Sequence, residues 1–437
     1  MRARELELKH IAIRNYKSLR NVSLFPKSFS VFVGRNGSGK SNFADALDFV
    51  STAYSDGLEH AVARKGGYEN IAHRKERRSR SAISFELQLT DTIKDNDFAL
   101  LVGRPLREKT DRQSVVSFKH SFSIKTTGEG IRSEFRVVEE SLEIIKQSFT
   151  PQVNNGYEWI KIERSNKNTV ALVGDLSTLL AQAVFYNAQS WNSHQQQEFL
   201  LAPSELLFSF PLIRPRLVSR FRLWLNGISI SQVSPDASRH AGVPTPNPTL
   251  STRGENLPAV IDWLQSKKQK EWSLILQAMK EIVPELTDIT VSYLHTRTLG
   301  LLFKESGVGR PWSAEEVSDG TIRSLAMLTA CFDPRISALV LEEPENSLHP
   351  WIIREVIKSL RKLSREKLVI VTTHSPIVLN TVAPKDVWIV FKKDGETNIE
   401  SLISFDPNLE SDWQSGKYRL FDYLESGAVS EAVPTGA

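Results

Sequence analysis

The chain has a single cysteine, Cys331, in 437 residues. That excludes an internal disulfide and a cysteine-ligated metal site, and it suits a reducing compartment with Cys331 as a small core residue. No run of about 18 apolar residues occurs, so no membrane-spanning helix is expected. The opening segment Met1–Lys9 has no apolar signal core. The cytoplasm is therefore the expected location, with no role at a membrane. There is no internal repeat and no sustained heptad pattern, which excludes a long coiled-coil arm. Charge of one sign is also lacking: 55 Lys and Arg against 51 Asp and Glu leave +4. That balance is too even to name nucleic acid as a partner. The run His73-Arg74-Lys75-Glu76-Arg77-Arg78-Ser79-Arg80 is denser in cations. It reads either as solvated surface or as a DNA or RNA contact. With 40% hydrophobic and 24% charged residues, the composition is that of a globular protein. The length allows two or three domains, or one large domain with an insertion.

What the chain does have is Gly34-Arg35-Asn36-Gly37-Ser38-Gly39-Lys40-Ser41. An apolar run, Phe29 to Val33, precedes it, and a helix-like run, Asn42 to Val50, follows. Strand, glycine-rich loop, helix is the order in which G-x-x-x-x-G-K-S cradles phosphate. Glycines let backbone N–H groups turn inward, and the helix N-terminus adds positive potential. Lys40 is expected to reach the β- and γ-phosphates of ATP, and Ser41 to ligate Mg²⁺.

Before the loop, His10–Arg14 and Val22–Phe25 read as strands. After it, period-two alternation marks Ile83–Leu89 and parts of Val115–Lys125, Ser133–Val138 and Trp159–Arg164. Helices are predicted over Asp175–Tyr186, Pro203–Leu225 and Asn256–Val283, the last stopped by Pro284. Ser231–Arg253, rich in Pro, Ser, Thr and Asn, reads as a long loop, and Val291–Phe303 as a hairpin. The last third returns to α/β alternation. Ala338–Leu341 and Leu368–Val371 are continuous apolar runs of buried parallel strands. Between them Pro350–Leu363 is an amphipathic helix with Ile352, Ile353, Val356, Ile357, Leu360 and Leu363 on one face.

Three further segments gain chemical meaning beside the phosphate loop. Glu342 and Glu343 end the strand 338–341. A carboxylate pair there is either a solvated strand end or a Mg²⁺ ligand and a general base; the phosphate loop favours the second. His374, in Thr372-Thr373-His374-Ser375-Pro376, lies just past the next strand, on the edge of a parallel sheet that faces ligands. It suits a hydrogen bond to the γ-phosphate, although a lone histidine is often structural. Ser318-Asp319-Gly320 precedes the apolar helix Leu325–Phe332 and reads as a second anion-binding helix start or as a plain cap. Two phosphate-gripping helix starts make sense if two chains face each other and complete each other's sites.

Together these residues resemble the ABC-type ATPase heads of the SMC, RecF and OLD group, and within it the compact bacterial AAA-family ATPase branch. The resemblance covers residues 8–90 and about 250–425. It identifies Gly34–Ser41 as the Walker A loop, with Asn42 beside it, and Ala338–Glu343 as the Walker B strand. Val317–Thr321 is similar to the ABC signature, with Asp319 where a second glycine is usual. Glu345–Pro350, including Asn346, Ser347 and His349, is similar to the D-loop, and His374 to the switch histidine. Asn15–Leu19 resembles the strand pair near the adenine, and Tyr418–Val433 the branch's C-terminus. There are departures. Glu342 stands where aspartate is commoner, the Q-loop has only Gln88 as a candidate, and residues 91–250 match nothing.

The implied fold is α/β: a P-loop ABC-type head with a mixed or parallel sheet core, an antiparallel β lobe and an inserted middle region. The implied domains are 1–90, the insertion 91–250, and 251–437. The implied activity is Mg²⁺-dependent ATP hydrolysis with Lys40, Glu343 and His374 catalytic. Gly34 through Asn42 and Ser318, Asp319 and Gly320 would bind nucleotide, and Ser41 and Glu342 the metal. The implied assembly is a head-to-head homodimer around ATP. The implied role is a regulatory or sensor ATPase of anti-phage defence with a separate effector protein. A RecF-like DNA-repair clamp, with DNA as partner, is the alternative. No TOPRIM-like acidic cluster follows His374, so no nuclease activity is expected in this chain.

Overall fold

A computed structural model describes residues 6–73, 81–94, 96–98, 113–127, 134–149, 156–164, 169–175, 177–185, 199–209, 213, 215–294, 297–346 and 348–429. The cationic residues Arg74–Arg80, Ser347 of the D-loop-like stretch, Tyr186 and Ser430–Val433 lie outside them. In chain order the strands are β1 (Leu6–Tyr16), β2 (Leu19–Leu24), β3 (Phe29–Val33), β4 (Ile83–Lys94), β5 (Gln113–Thr126), β6 (Phe135–Phe149), β7 (Gly156–Arg164), β8 (Thr169–Gly174) and β9 (Phe199–Leu200). They continue with β10 (Ile228–Ser231), β11 (Leu286–Tyr293), β12 (Leu299–Glu305), β13 (Trp312–Ser313), β14 (Ala338–Glu342), β15 (Leu368–Thr373) and β16 (Val387–Lys393).

The chain forms two compact units that are interleaved in sequence. The first comprises Met1–Pro26, Asn42–Gly227 and Phe391–Ile399; the second comprises Lys27–Ser41, Ile228–Val390 and Glu400–Ala437. Among the described residues the first unit is built on a sheet of order β2-β1-β4-β5-β6-β7-β8-β9. Its pairs are antiparallel throughout. The strict alternation of β4, buried at Ile83, Phe85, Leu87, Leu89 and Ile93, is the period-two signal read from the sequence. Register sets Phe85 opposite Phe122. Their rings stack at 5.3 Å, and Phe49 of helix α1 (Lys40–Ser55) stacks on Phe85 at 5.3 Å. One buried network breaks the apolar pattern. His120 Nε2 lies 2.9 Å from Glu140 Oε1, and Glu140 Oε2 lies 3.6 Å from the Arg164 guanidinium.

In the second unit the order is β10-β14-β15-β3-β16, with parallel pairing at each step. Every residue of β3, β14 and β15 is buried. Continuous apolar runs mean this, because helices cover both faces of a parallel sheet. The predicted helix 256–283 is two helices, α2 (Leu257–Lys267) and α3 (Gln269–Ile282). Lys268, at φ −137° and ψ 52°, separates them. No Gly or Pro marks the break; it lets Leu264 of α2 and Ile275 and Met279 of α3 all reach the core. The predicted helix 203–225 begins only at Pro215 and runs to Asn226. The loop 231–253 carries a short helix, Pro235–Arg239, capped by Ser234. Gln232 N donates to Thr252 O at 2.8 Å and Ser234 N to Arg253 O at 3.1 Å, which close the loop on itself. Helix α4 (Asp319–Phe332) buries Ile322 through Cys331, and α5 (Pro350–Leu363) starts at a proline capped by His349. On α5, Ile353, Val356, Ile357 and Leu360 are buried, while Ile352 and Leu363 lie half-buried at the margins of the face. Among the described residues no helix is long and apolar enough to cross a membrane.

Candidate nucleotide site

The glycine-rich loop leaves the C-terminal end of β3 and closes into the first turn of α1. Gly34 has no room for a side chain: a Cβ there would sit 1.9 Å from the Val390 carbonyl oxygen of β16. Gly37 and Gly39 have φ of 78° and 112°, values that L side chains rarely adopt. Asn36 and Gly37 are exposed at the loop tip, and Ser38, Gly39 and Lys40 are buried beneath it. Ser38 N donates to Arg35 O at 3.1 Å, and Arg35 Nε is buried without a partner among the described residues. Lys40 is 6% exposed and its Nζ donates to Gly34 O at 2.6 Å and Arg35 O at 3.0 Å. Burial lowers the Lys40 pKa, and the carboxylates of Glu343, Glu342 and Glu345 work against that shift.

Strand register brings distant residues to the loop. Glu342 is paired with Thr372, Thr372 with Phe32, and Thr373 with Val33. The ends of β14, β15 and β3 are thus level, and Ser41 Oγ donates to Glu342 Oε2 at 2.9 Å across 301 positions of sequence. Ser41 is exposed and Glu342 buried, so the pair is an oxygen site open on one side. Oxygen donors suit Mg²⁺, which takes one or two protein ligands and fills its octahedron with phosphate and water. No group of three His, Cys, Asp or Glu residues able to hold a metal exists among the described residues. A two-oxygen site therefore fits a nucleotide-borne Mg²⁺ and does not fit an all-protein metal cage.

Glu343, one residue past β14, has a left-handed backbone, φ 44°. Its N–H donates to Thr372 O at 2.9 Å, and its carboxylate accepts from Asn346 Nδ2 at 3.0 Å. His374 Nδ1 lies 3.5 Å from Glu343 Oε1 and 3.9 Å from Glu345 Oε1. Glu345 Oε1 accepts from Thr373 Oγ1 at 2.6 Å and from His374 N at 3.2 Å, which fixes the turn carrying the histidine. Lys40, Ser41, Glu342, Glu343 and His374 are therefore gathered at one sheet edge.

The remaining residues are placed differently. Ser318 caps α4, accepting from Thr321 N at 3.1 Å. Asp319 pairs with Arg239 at 2.8 Å, and Arg239 also donates to Ala314 O and Val317 O. Gly320 lies in the same first turn. Within the first unit, Asn42 Nδ2 donates to Ser18 Oγ at 2.6 Å, and Gln88 is mid-strand in β4 with Nε2 3.4 Å from Ser117 Oγ. His349 serves as the α5 cap, its Nδ1 accepting from Trp351 N at 3.4 Å. Sequence reasoning overlooked Arg323. It is buried on α4, and its Nη2 donates to Glu343 O at 3.0 Å. Its only signal was a lone arginine in an apolar helix.

Residues 7–187 match the family described as an AAA ATPase domain. Residues 172–380 match the family described as "AAA domain, putative AbiEii toxin, Type IV TA system". Between them the two AAA ATPase models match residues 7–380 and support ATPase activity. A stretch of 44 residues is 52% identical to the chromosome partition protein Smc of Methanocaldococcus jannaschii, covering 10% of this ATPase and 4% of that protein. Two solved SMC heads resemble it in shape at 13% identity. That from Thermotoga maritima has a TM-score of 0.38, covering 90% of this ATPase and 98% of that chain. That derived from Pyrococcus furiosus, with an extended coiled coil and bound to the C-terminal domain of ScpA, has a TM-score of 0.45, covering 93% and 99%.

Proposed function

We propose that this ATPase binds Mg²⁺-ATP on Gly34–Asn42, hydrolyses it with Glu343 as base, and uses the cycle to close and open a homodimer. The observation that carries this reading is the gathering of Lys40, Ser41, Glu342, Glu343 and His374 at the ends of β3, β14 and β15. Lys40 neutralises the phosphates, and the inward amides of the loop hold their oxygens. Ser41 and Glu342 would hold Mg²⁺, which would supply charge neutralisation and help orient the phosphates. Glu343 takes a proton from the attacking water, and the His374 ring donates to a γ-phosphate oxygen. The Ser318–Gly320 turn acts on the nucleotide of the facing chain. Residues 1–90 and 251–437 form the head, and 91–250 the insertion that meets a partner.

Glu343→Gln is expected to bind ATP yet turn it over slowly, so that light scattering with ATP and Mg²⁺ reports a heavier species; wild-type turnover would place the base elsewhere. Mixing Lys40→Ala chains with Ser318→Arg chains tests the shared site. One of the two sites in a mixed dimer carries no lesion, so activity returns. Its absence in proven heterodimers counts against facing heads.

For the biological role we favour a cytoplasmic regulatory or sensor ATPase of anti-phage defence, acting through a separate effector. The support is the toxin–antitoxin description of the family matched by residues 172–380. On this reading the chain cuts no nucleic acid. Cleavage of plasmid, single-stranded DNA or RNA by pure protein that survives Lys40→Ala would overturn it. A RecF-like DNA-repair clamp is the second reading, favoured by the Smc-like stretch. ATP-dependent, salt-sensitive DNA affinity would select it.

A further inference from the structure

Glu343 is a non-glycine residue held at φ 44° at the point where the proposed base must be placed. A left-handed glutamate persists only where its surroundings over-determine it. Three contacts do so here. Its N–H is tied to Thr372 O, its carbonyl accepts from Asn346 N at 3.2 Å, and the same carbonyl accepts from Arg323 Nη2 at 3.0 Å. The first two are local to the strand end and its turn. The third comes from α4, whose N-terminal turn carries Ser318, Asp319 and Gly320.

Among the described residues the Arg323 side chain makes one hydrogen bond, a costly use of a buried cation. It is 6% exposed, between buried Ile322 and Ser324, and its Nε has no partner among the described residues. Burial lowers its pKa, opposed by the carboxylates of Glu345 and Glu343. A well-packed apolar side chain would suit this helix better if packing were the only requirement. The arginine joins the helix whose first turn carries Asp319 and Gly320, capped by Ser318, to the peptide that aims the proposed base.

We propose that Arg323 is a positioning residue: it clamps the Glu343 peptide in its left-handed form and so passes the position of α4 to the Glu343 carboxylate. A shift of α4 on engagement of the Ser318–Gly320 turn moves the guanidinium, the Glu343 carbonyl and then the carboxylate. The proposal rests on Glu343 being the base, and the test separates the two claims.

Steady-state ATPase rates and the affinity for a fluorescent ATP analogue are measured for Arg323→Met, Arg323→Lys, Glu343→Gln and Arg323→Met/Glu343→Gln, each in the full chain. Arg323→Met is expected to lower kcat by about 10- to 100-fold, the scale of a base misplaced by about an ångström. KM and analogue affinity stay within about twofold. Arg323→Lys, which keeps a cationic donor, recovers part of the rate. The double variant is no slower than Glu343→Gln, because Arg323 acts through Glu343. Unchanged kcat in Arg323→Met overturns the proposal. So does a rate loss in the double variant equal to the product of the two single losses. So does a parallel fall of kcat, affinity and melting temperature in both Arg323 variants, which would mark a merely structural role. Wild-type turnover by Glu343→Gln overturns the assignment of the base itself, whatever Arg323 does.

Discussion

Replacing Gly34 by alanine is expected to push the phosphate loop off its seat on β16. The added Cβ would lie 1.9 Å from Val390 O and 2.9 Å from Ser38 Oγ, and the first of these is backbone in a buried strand. Real Cβ atoms essentially never approach closer than 3.0 Å. Relief therefore needs a shift of about an ångström in the loop or in β16. Overpacking of this kind costs about 1–3 kcal/mol, which lowers the melting temperature by roughly 2–4 °C per kcal/mol for a unit of this size. The functional loss is expected to be larger, about 100-fold in kcat/KM, because the same shift misplaces the amides proposed to hold phosphate. Gly37→Ala is the control on the same loop. Its Cβ would meet nothing within 4 Å, so only the φ of 78° resists it, a penalty of about 1–2 kcal/mol. Differential scanning fluorimetry, ATP-analogue binding and phosphate release on both variants check the pair. A Gly34→Ala chain that melts, binds and turns over like wild type, or a Gly37→Ala chain that loses as much activity, would refute the reasoning.

Other outcomes follow from the same geometry. Lys40→Ala removes the cation that bridges Gly34 O and Arg35 O, and turnover is expected to fall below detection; wild-type rates in pure protein would contradict its role. Cys331 is fully buried, and burial pushes its thiol up to about 12. A disulfide reagent at pH 8 should leave it untouched in folded protein and label it on unfolding; equal rates in both states would show that it is reachable. Burial pushes the Asp45 carboxyl up, but hydrogen bonds from Lys17, Lys65 and Tyr16 outweigh that and hold its pKa below 3.8. Its stabilisation, about 1–3 kcal/mol, is full above 3.8 and is lost as pH falls through the lower folded value. Urea melts of wild type and Asp45→Asn from pH 6 to pH 3 should converge at the acid end, and a constant gap would refute the assignment.

Local patterns in the sequence were sufficient for much of this. The order of strand, glycine-rich loop and helix is legible because consecutive residues set it, and Gly37 and Gly39 supply their own positive φ. Helix Pro350–Leu363 was read to its ends from its period and its first-turn proline, and β14 and β15 from unbroken apolar runs. Periodicity reports that a residue is buried; it does not report against what. Hence the alternating buried positions of β5, β6 and β7 did not announce that His120, Glu140 and Arg164 meet. Nor did any local breaker announce the separation at Lys268, which only the packing of both helices requires. The carboxylates next to the loop were named from spacing, but their distance to Ser41 is set by strand order and register, which are long-range choices. The left-handed turn of Glu343 and the guanidinium that holds it come from a strand end and a helix twenty residues apart in sequence. Such a contact exists only once the sheet and the helix over it have closed, because neither segment alone has a reason to adopt it.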